Sequence, residues 1–294
     1  KAHMRIRTIL LQGSSVKSLT FLGDMFDGVQ CPCILLQLVA TGKPLSTVGM
    51  RIEDRTRTFI IAMERTVVPE NFSFRMTDEE YRVLEKIKNS IPVCYLADHA
   101  DFALGIVTGN NKKFLSTEKT EHSEMVLKGT DICKYHINPA KQYLRFEPEQ
   151  FQQVAPLEIY RAPEKLLYRF ISNQLVVAYD DRQMLSLNSC NIVIPKIEGM
   201  QIKYILAILN SSVSQFVYQK EFHSVKVLRA HMEHIPIPCV GKAIQNEIIA
   251  MTEPLIHGME KEAAEACRKR LDGRIMDLFR LSAEEQWIIR HALH

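Results

Sequence analysis

Gly105-Ile106-Val107-Thr108-Gly109-Asn110-Asn111-Lys112-Lys113-Phe114 is the stretch on which the reading of this chain turns. An apolar, strand-like run from Phe102 to Val107 breaks at Gly109-Asn110-Asn111. Gly and Asn tolerate positive φ, so a tight turn is expected there. Its tip would present amide groups and the cations Lys112 and Lys113, which suits an anionic partner. It is not a P-loop, because no Gly-Lys-Ser/Thr follows. Nor does a G-x-S-x-G elbow occur in the chain.

Downstream of this turn the pattern is a hairpin. Leu166-Leu167-Tyr168-Arg169-Phe170-Ile171 and Leu175-Val176-Val177-Ala178-Tyr179 flank a Ser172-Asn173 turn. Asn191 to Ile194 reads as a further strand, ended by Pro195. Ile202, Ile205, Leu206, Leu209, Val213, Phe216 and Val217 share one face of a single helix. His234-Ile235-Pro236-Ile237-Pro238 must be extended, because its two prolines forbid helix. The C-terminus reads as helical, with Ile275, Leu278 and Phe279 on one stripe, and Ser282-Ala283-Glu284-Glu285 caps a last helix.

Upstream, residues 5–12 read as the end of a helix and Val16 to Leu22 as a strand. Ile34 to Val39 is continuously apolar, as expected of a buried strand. After the Thr41-Gly42-Lys43-Pro44 turn, Val48, Met50 and Ile52 alternate with Gly49 and Arg51. Such a piece reads as the tail of an α/β domain. Thr77-Asp78-Glu79-Glu80 fits a capping box that opens a helix bearing Tyr81, Leu84 and Ile87. The opening Lys1-Ala2-His3-Met4 looks like an expression-vector remnant, so the natural protein is expected to extend upstream.

Composition narrows the class. The 294 residues suffice for one large or two ordinary domains. Hydrophobic content of 46% and charged content of 24% suit a soluble globular protein. No run reaches the roughly 18 apolar residues of a membrane span, so no membrane partner is expected. Seven scattered cysteines read as a reducing, cytoplasmic setting. The net charge is only +3, but residues 102–145 carry seven Lys/Arg against four Asp/Glu. That excess permits a nucleic-acid face without demanding one.

Several chemistries fail on inspection. Cys31-Pro32-Cys33 is the only close cysteine pair, and a structural zinc site needs four ligands. His231 and His234 could complete it, but strand cysteines packed in a core are the simpler reading. Asp98-His99-Ala100-Asp101 gathers carboxylates as a metal nuclease would. A polar rim at a strand entry explains it as well. Asn138-Pro139-Ala140-Lys141 lacks the second proline and the aromatic of an amino-methyltransferase motif. No catalytic, cofactor-binding or metal-ligating residue is therefore assigned. More suggestive are Lys112, Lys113, Tyr168, Arg169, Arg182, Lys220, Lys226 and Arg229, all in or beside turns and strand ends. Lys and Arg there bind phosphates, and Arg also reads guanine edges.

A series of motifs in order carries a resemblance. Gly105 to Leu115 is followed by Leu127-Lys128-Gly129-Thr130-Asp131-Ile132-Cys133-Lys134-Tyr135. Then come Glu164 to Ile171, Leu175 to Asp181, Tyr204-Ile205-Leu206-Ala207-Ile208-Leu209-Asn210-Ser211, and Ile235-Pro236-Ile237-Pro238. Over about residues 95–240 this series resembles the TaqI-like C-terminal specificity domain. That is the target-recognition part of adenine-N6 DNA methyltransferases and of fused restriction–modification enzymes. Phe21 to Gln37 looks like the last strands of the methyltransferase domain in such proteins, and Leu271 to Glu285 like their C-terminal helical segment.

The resemblance implies an α+β fold: a fragment of an α/β methyltransferase sheet, then a mixed α/β target-recognition domain with a C-terminal helical segment. The implied divisions are 1–66 for the methyltransferase end, 67–94 for a linker and helix, 95–240 for recognition and 241–294 for the helices. The implied partners are double-stranded DNA and an upstream methyltransferase domain of the same chain. S-adenosylmethionine would belong to that domain and not to this fragment, which should be inactive alone. Lys112, Lys113, Lys128, Arg169, Arg182 and Lys226 are the cations expected at the DNA. Two rivals stand beside this reading. One is a metal-dependent nuclease fragment using Asp98 and Asp101. The other is a protein-interaction module docking through an exposed Leu278, Phe279 and Leu281.

Overall fold

The computed structural model describes residues 3–69, 72–222 and 224–293. Lys1 and Ala2, part of the opening stretch read as a remnant, lie outside the described residues. The chain divides into two compact units, Lys1–Leu84 and Glu85–His294. No helix among the described residues is long and apolar enough to cross a membrane.

The first unit opens with α1 (Met4–Gly13), over the span expected to be helical. β1 (Ser14–Phe26) and β2 (Val29–Ala40) form a long antiparallel hairpin that turns at Gly28, where φ is 73°. β3 (Arg51–Glu53) runs parallel to β1, and β4 (Thr58–Ile60) pairs antiparallel with β3. The order is β2-β1-β3-β4. Val16, Leu19, Met50, Ile52, Ile61 and Phe74 form the core.

The run Ile34 to Val39 is not buried as its composition suggested. β2 is an edge strand, with Ile34 56% and Leu35 61% exposed and Leu38 and Val39 exposed as well. A continuous apolar run reports burial only where layers cover both faces of the sheet. The capping box forms as expected at α2 (Asp78–Asn89). Glu80 N–H donates to Thr77 Oγ1 at 3.2 Å, and Thr77 N–H donates to Glu80 Oε2 at 2.9 Å. Buried Arg65 pairs with Asp78 at 2.6 Å and fixes the start of that helix.

The second unit is built around two small sheets. Its elements begin with β5 (Val93–Cys94), β6 (Ala100–Ala103), α3 (Asn111–Phe114), β7 (Leu115–Ser116), β8 (Glu124–Leu127) and β9 (Tyr143–Leu144). They continue through α4 (Leu157–Tyr160), β10 (Lys165–Arg169), β11 (Val177–Asp180), β12 (Leu185–Ser186) and β13 (Cys190–Pro195). One sheet has the order β11-β10-β13-β6 and the other β12-β8-β9-β7. Leu167, Ala178 and Ile192 of the first sheet join Val126, Leu127, Leu144 and Leu185 of the second in one core. The expected hairpin is β10–β11, with Lys165 opposite Asp180. Its connection is longer than two residues, and Ser172-Asn173 lies within it.

The single helix expected over 202–217 is two, α5 (Ile202–Asn210) and α6 (Ser212–Phe222). Ser211 breaks it, accepting Ser214 N–H on Oγ at 3.2 Å and so capping α6. α7 (Arg229–Met232) follows, and β14 (Ile237–Pro238) pairs with β5, as two prolines at an extended edge allow. The chain ends in α8 (Lys242–His257), α9 (Lys261–Leu278) and α10 (Ala283–Ala292). α8 packs on α5 and α9, and α6 packs on α9 and α10. Phe279 and Leu281 are therefore buried within this unit and Leu278 is half-buried. The exposed patch required for docking through these residues does not exist. The C-terminal stripe is core.

Candidate nucleic-acid interface

At the Arg169 end of β10, four loops meet. The 3-10 turn Gly129–Asp131 lies close enough to the 189 loop that a Cβ on Gly129 would stand 2.5 Å from Ser189 O. That contact explains the Gly of Lys128-Gly129-Thr130. Arg169 donates from Nε to Gly129 O at 2.9 Å and from Nη2 to Ile132 O at 2.5 Å. Its guanidinium is thus committed to holding the turn that carries Lys128. Sequence reasoning placed Arg169 among the cations expected at the DNA. Its neighbourhood gives it a structural task that no local pattern discloses.

Beyond Arg169 the chain forms an apolar tip. Ile171 bridges Lys226, Ser172 N–H donates to Val225 O at 3.0 Å, and Val227 N–H to Phe170 O at 2.8 Å. Tyr218 of α6 donates to Ser224 O at 3.0 Å from beneath. So tied, Ile171 and Val225 remain 63% and 67% exposed. Lys226 is exposed beside them, its Nζ 5.9 Å from the Phe170 ring centre. His231 shapes the same loop. Its Nδ1 accepts Leu228 N–H at 3.2 Å, its ring also bonds the Lys226 backbone, and it stacks on Phe222 at 4.5 Å. Burial pushes the His231 pKa down, against the pull of the Lys226 bond and with that of His234.

Next to the tip lies a cleft of about 740 Å³ running along β6. Phe102, Leu104, Gln153, Tyr168, Asn191 and Arg229 contribute to its lining. Arg229 sits 5.2 Å over the Phe102 ring and pairs with Glu233 at 2.7 Å, which raises its pKa further. Burial lifts the Tyr168 hydroxyl to about 12, against the hydrogen bond with the Asn191 side chain. Ile171, Val225, Gln153 and Asn191 were not singled out from sequence. Only Ile171, apolar and next to a Ser-Asn turn, carried a readable signal.

The remaining expected cations divide. Lys112 and Lys113 are exposed on α3. The turn before them is real, with Gly109 at φ 75°. Its amides are not all free for an anion, because Lys113 N–H donates to Asn110 Oδ1 at 3.2 Å and to Asn110 O at 3.1 Å. This loop borders the cleft through Val107, whose N–H donates to Gln153 O at 2.9 Å. Arg182 is exposed at the opposite end of β10–β11, beside the Lys165–Asp180 pair, and is not brought together with Lys128, Arg169 and Lys226. Lys220, also basic, is buried.

The nuclease rival finds no support among the described residues. Asp101 pairs with Lys196 at 2.5 Å, and no three His, Cys, Asp or Glu side chains gather as a metal site. The surface therefore offers cations, exposed apolar side chains and amides around a groove, a set suited to holding a polyanion and contacting base edges.

Residues 124–237 match the TaqI-like C-terminal specificity domain. The match contains Lys128, Arg169, the apolar tip and Lys226. Among solved structures the chain is similar to the Type IIL restriction-modification enzyme MmeI, whose structure is of its complex with DNA. The TM-score is 0.60 and the identity 9%, over 96% of this chain and 45% of MmeI. At that identity the likeness shows the fold. The type IIG restriction endonuclease BpuSI gives 0.39 and 10%, over 94% of this chain and 45% of that one. The HsdS subunit from Thermoanaerobacter tengcongensis gives 0.38 and 13%, over 74% and 50%. The chain thus spans about half the length of these proteins or less. No curated protein matches it.

Proposed function

We propose that the specificity domain of this chain recognises a DNA target within a restriction–modification system. The match over residues 124–237 carries the reading, and the cationic loops around the apolar tip support it. Lys226, Lys128, Lys112 and Lys113 would neutralise phosphates, while Ile171, Val225 and the cleft residues would meet base edges. Arg169 would act indirectly by positioning the Lys128 turn. Fluorescence anisotropy with a random duplex tests this. Phosphate neutralisation predicts log affinity falling linearly with log salt, by about 0.9 per phosphate contacted. No binding at low salt with high micromolar protein would refute it.

The reading extends to the whole protein. There the specificity domain would deliver DNA to an adenine-N6 methyltransferase domain using S-adenosylmethionine, in the cytoplasm. The resemblance of the Phe21–Gln37 stretch to the end of such a domain supports this. Methylation of adenine by the full-length polypeptide, and none by residues 1–294, is the expected result.

A further inference from the structure

At the β5–β14 ribbon two sulfur atoms touch, and the register brings a third beside them. β5 and β14 pair with Ile237 opposite Cys94 and Pro238 opposite Val93, and Cys239 N–H donates to Pro92 O at 2.9 Å. This register sets Cys94 and Cys239 as diagonal neighbours on one face of the ribbon. Both are free thiols. Cys94 Sγ lies 3.7 Å from Met200 Sδ and 3.4 Å from Ile237 O. Cys239 is exposed, which opens the cluster to solvent, while Cys94 and Met200 are half-buried.

Three sulfurs each about 2.3 Å from a central ion stand about 4 Å apart in a trigonal plane. The Cys94–Met200 separation is already near that edge length. Thiolates and a thioether are soft ligands that select cuprous copper, whereas structural zinc calls for four ligands. We propose that Cys94, Cys239 and Met200 form a trigonal site for a soft monovalent metal ion, cuprous copper. Binding forms three Cu–S bonds and releases both thiol protons to water, with no change of oxidation state. It ties the strand entering the specificity domain to the strand leaving it.

The test titrates the full 294-residue chain, carrying Cys31→Ser and Cys33→Ser, with cuprous ion against a chromogenic chelator without oxygen. One equivalent is expected, with three sulfur neighbours by X-ray absorption and a raised melting temperature. Cys239→Ser, at an exposed position that leaves the fold intact, should lose the equivalent. Met200→Leu should lower the sulfur count from three to two. Failure to withdraw copper from the chelator would overturn the proposal. So would undiminished uptake by Cys239→Ser or by the Cys94→Ser/Cys239→Ser pair.

Discussion

Lys165 Nζ lies 2.5 Å from Asp180 Oδ2, and neither side chain is exposed to solvent. The two residues face each other across β10 and β11. Lys165 also donates to Tyr160 O at 2.6 Å, and the Asp180 carboxylate accepts Arg182 N–H and Met184 N–H, each at 2.9 Å. Burial draws the Lys165 pKa down, and Asp180 opposes the fall. The pair therefore organises the turn that follows β11.

Removing one partner strands the other charge in the core, so Lys165→Met should destabilise the second unit by about 3–5 kcal/mol. Urea denaturation measures it. A loss within about 0.5 kcal/mol, the level of an ordinary surface substitution, would mean that Asp180 finds another partner or water.

Asn210 acts as a one-residue continuation of the sheet. Its Oδ1 accepts Val177 N–H at 3.1 Å and its Nδ2 donates to Val177 O at 2.9 Å and Leu206 O at 3.1 Å. Asn210→Ala leaves the Val177 N–H unsatisfied, and a loss of about 1–3 kcal/mol is expected. Hydrogen exchange at the Val177 amide should rise with it.

Gly105 is required by close approach. A Cβ there would stand 2.2 Å from Leu187 O and 2.8 Å from Cys190 O, both backbone atoms. Gly105→Ala should destabilise by at least about 1–3 kcal/mol. Gly273, inside α9 with nothing within 4 Å of where a Cβ would stand, is the control. Gly273→Ala should stabilise by up to about 1 kcal/mol. Thermal melts of the two variants separate the cases.

Lys226→Ala should weaken duplex binding and reduce the salt slope by about 0.9. Ile171→Ser should leave the slope alone and change which sequences a randomised duplex pool yields. Arg182→Ala, at the far end of the hairpin, should match the parent chain. If it alone flattens the slope, the DNA lies along the Lys165–Asp180 end instead.

His231 gives the pH dependence a sign. Its pKa is depressed by burial, so the unfolded chain binds the proton more tightly. Stability is then full above the ordinary histidine value of about 6.5 and falls as pH drops through it toward the folded value. Melting temperature measured from pH 7.5 to 5 should decline less in His231→Gln than in the parent chain. Equal slopes would remove His231 as the titrating group.

Local chemistry was enough to read much of this protein. The Gly109 turn, the capping boxes at Thr77 and Ser282, the β10–β11 hairpin and the prolines of β14 each rest on short-range backbone preference. Motif order carried the resemblance that the match over residues 124–237 bears out. Burial was not legible where it depended on covering layers, so the apolar run of β2 emerged as an exposed edge and the Phe279 stripe as core. Only tertiary structure could commit the Arg169 guanidinium to Gly129 and Ile132, leave Ile171 and Val225 standing in solvent, and set Cys94 and Cys239 side by side on the β5–β14 ribbon. Each of those outcomes joins segments distant in the chain, and the partner of a side chain across such a distance is set by strand register and packing, not by its neighbours in sequence.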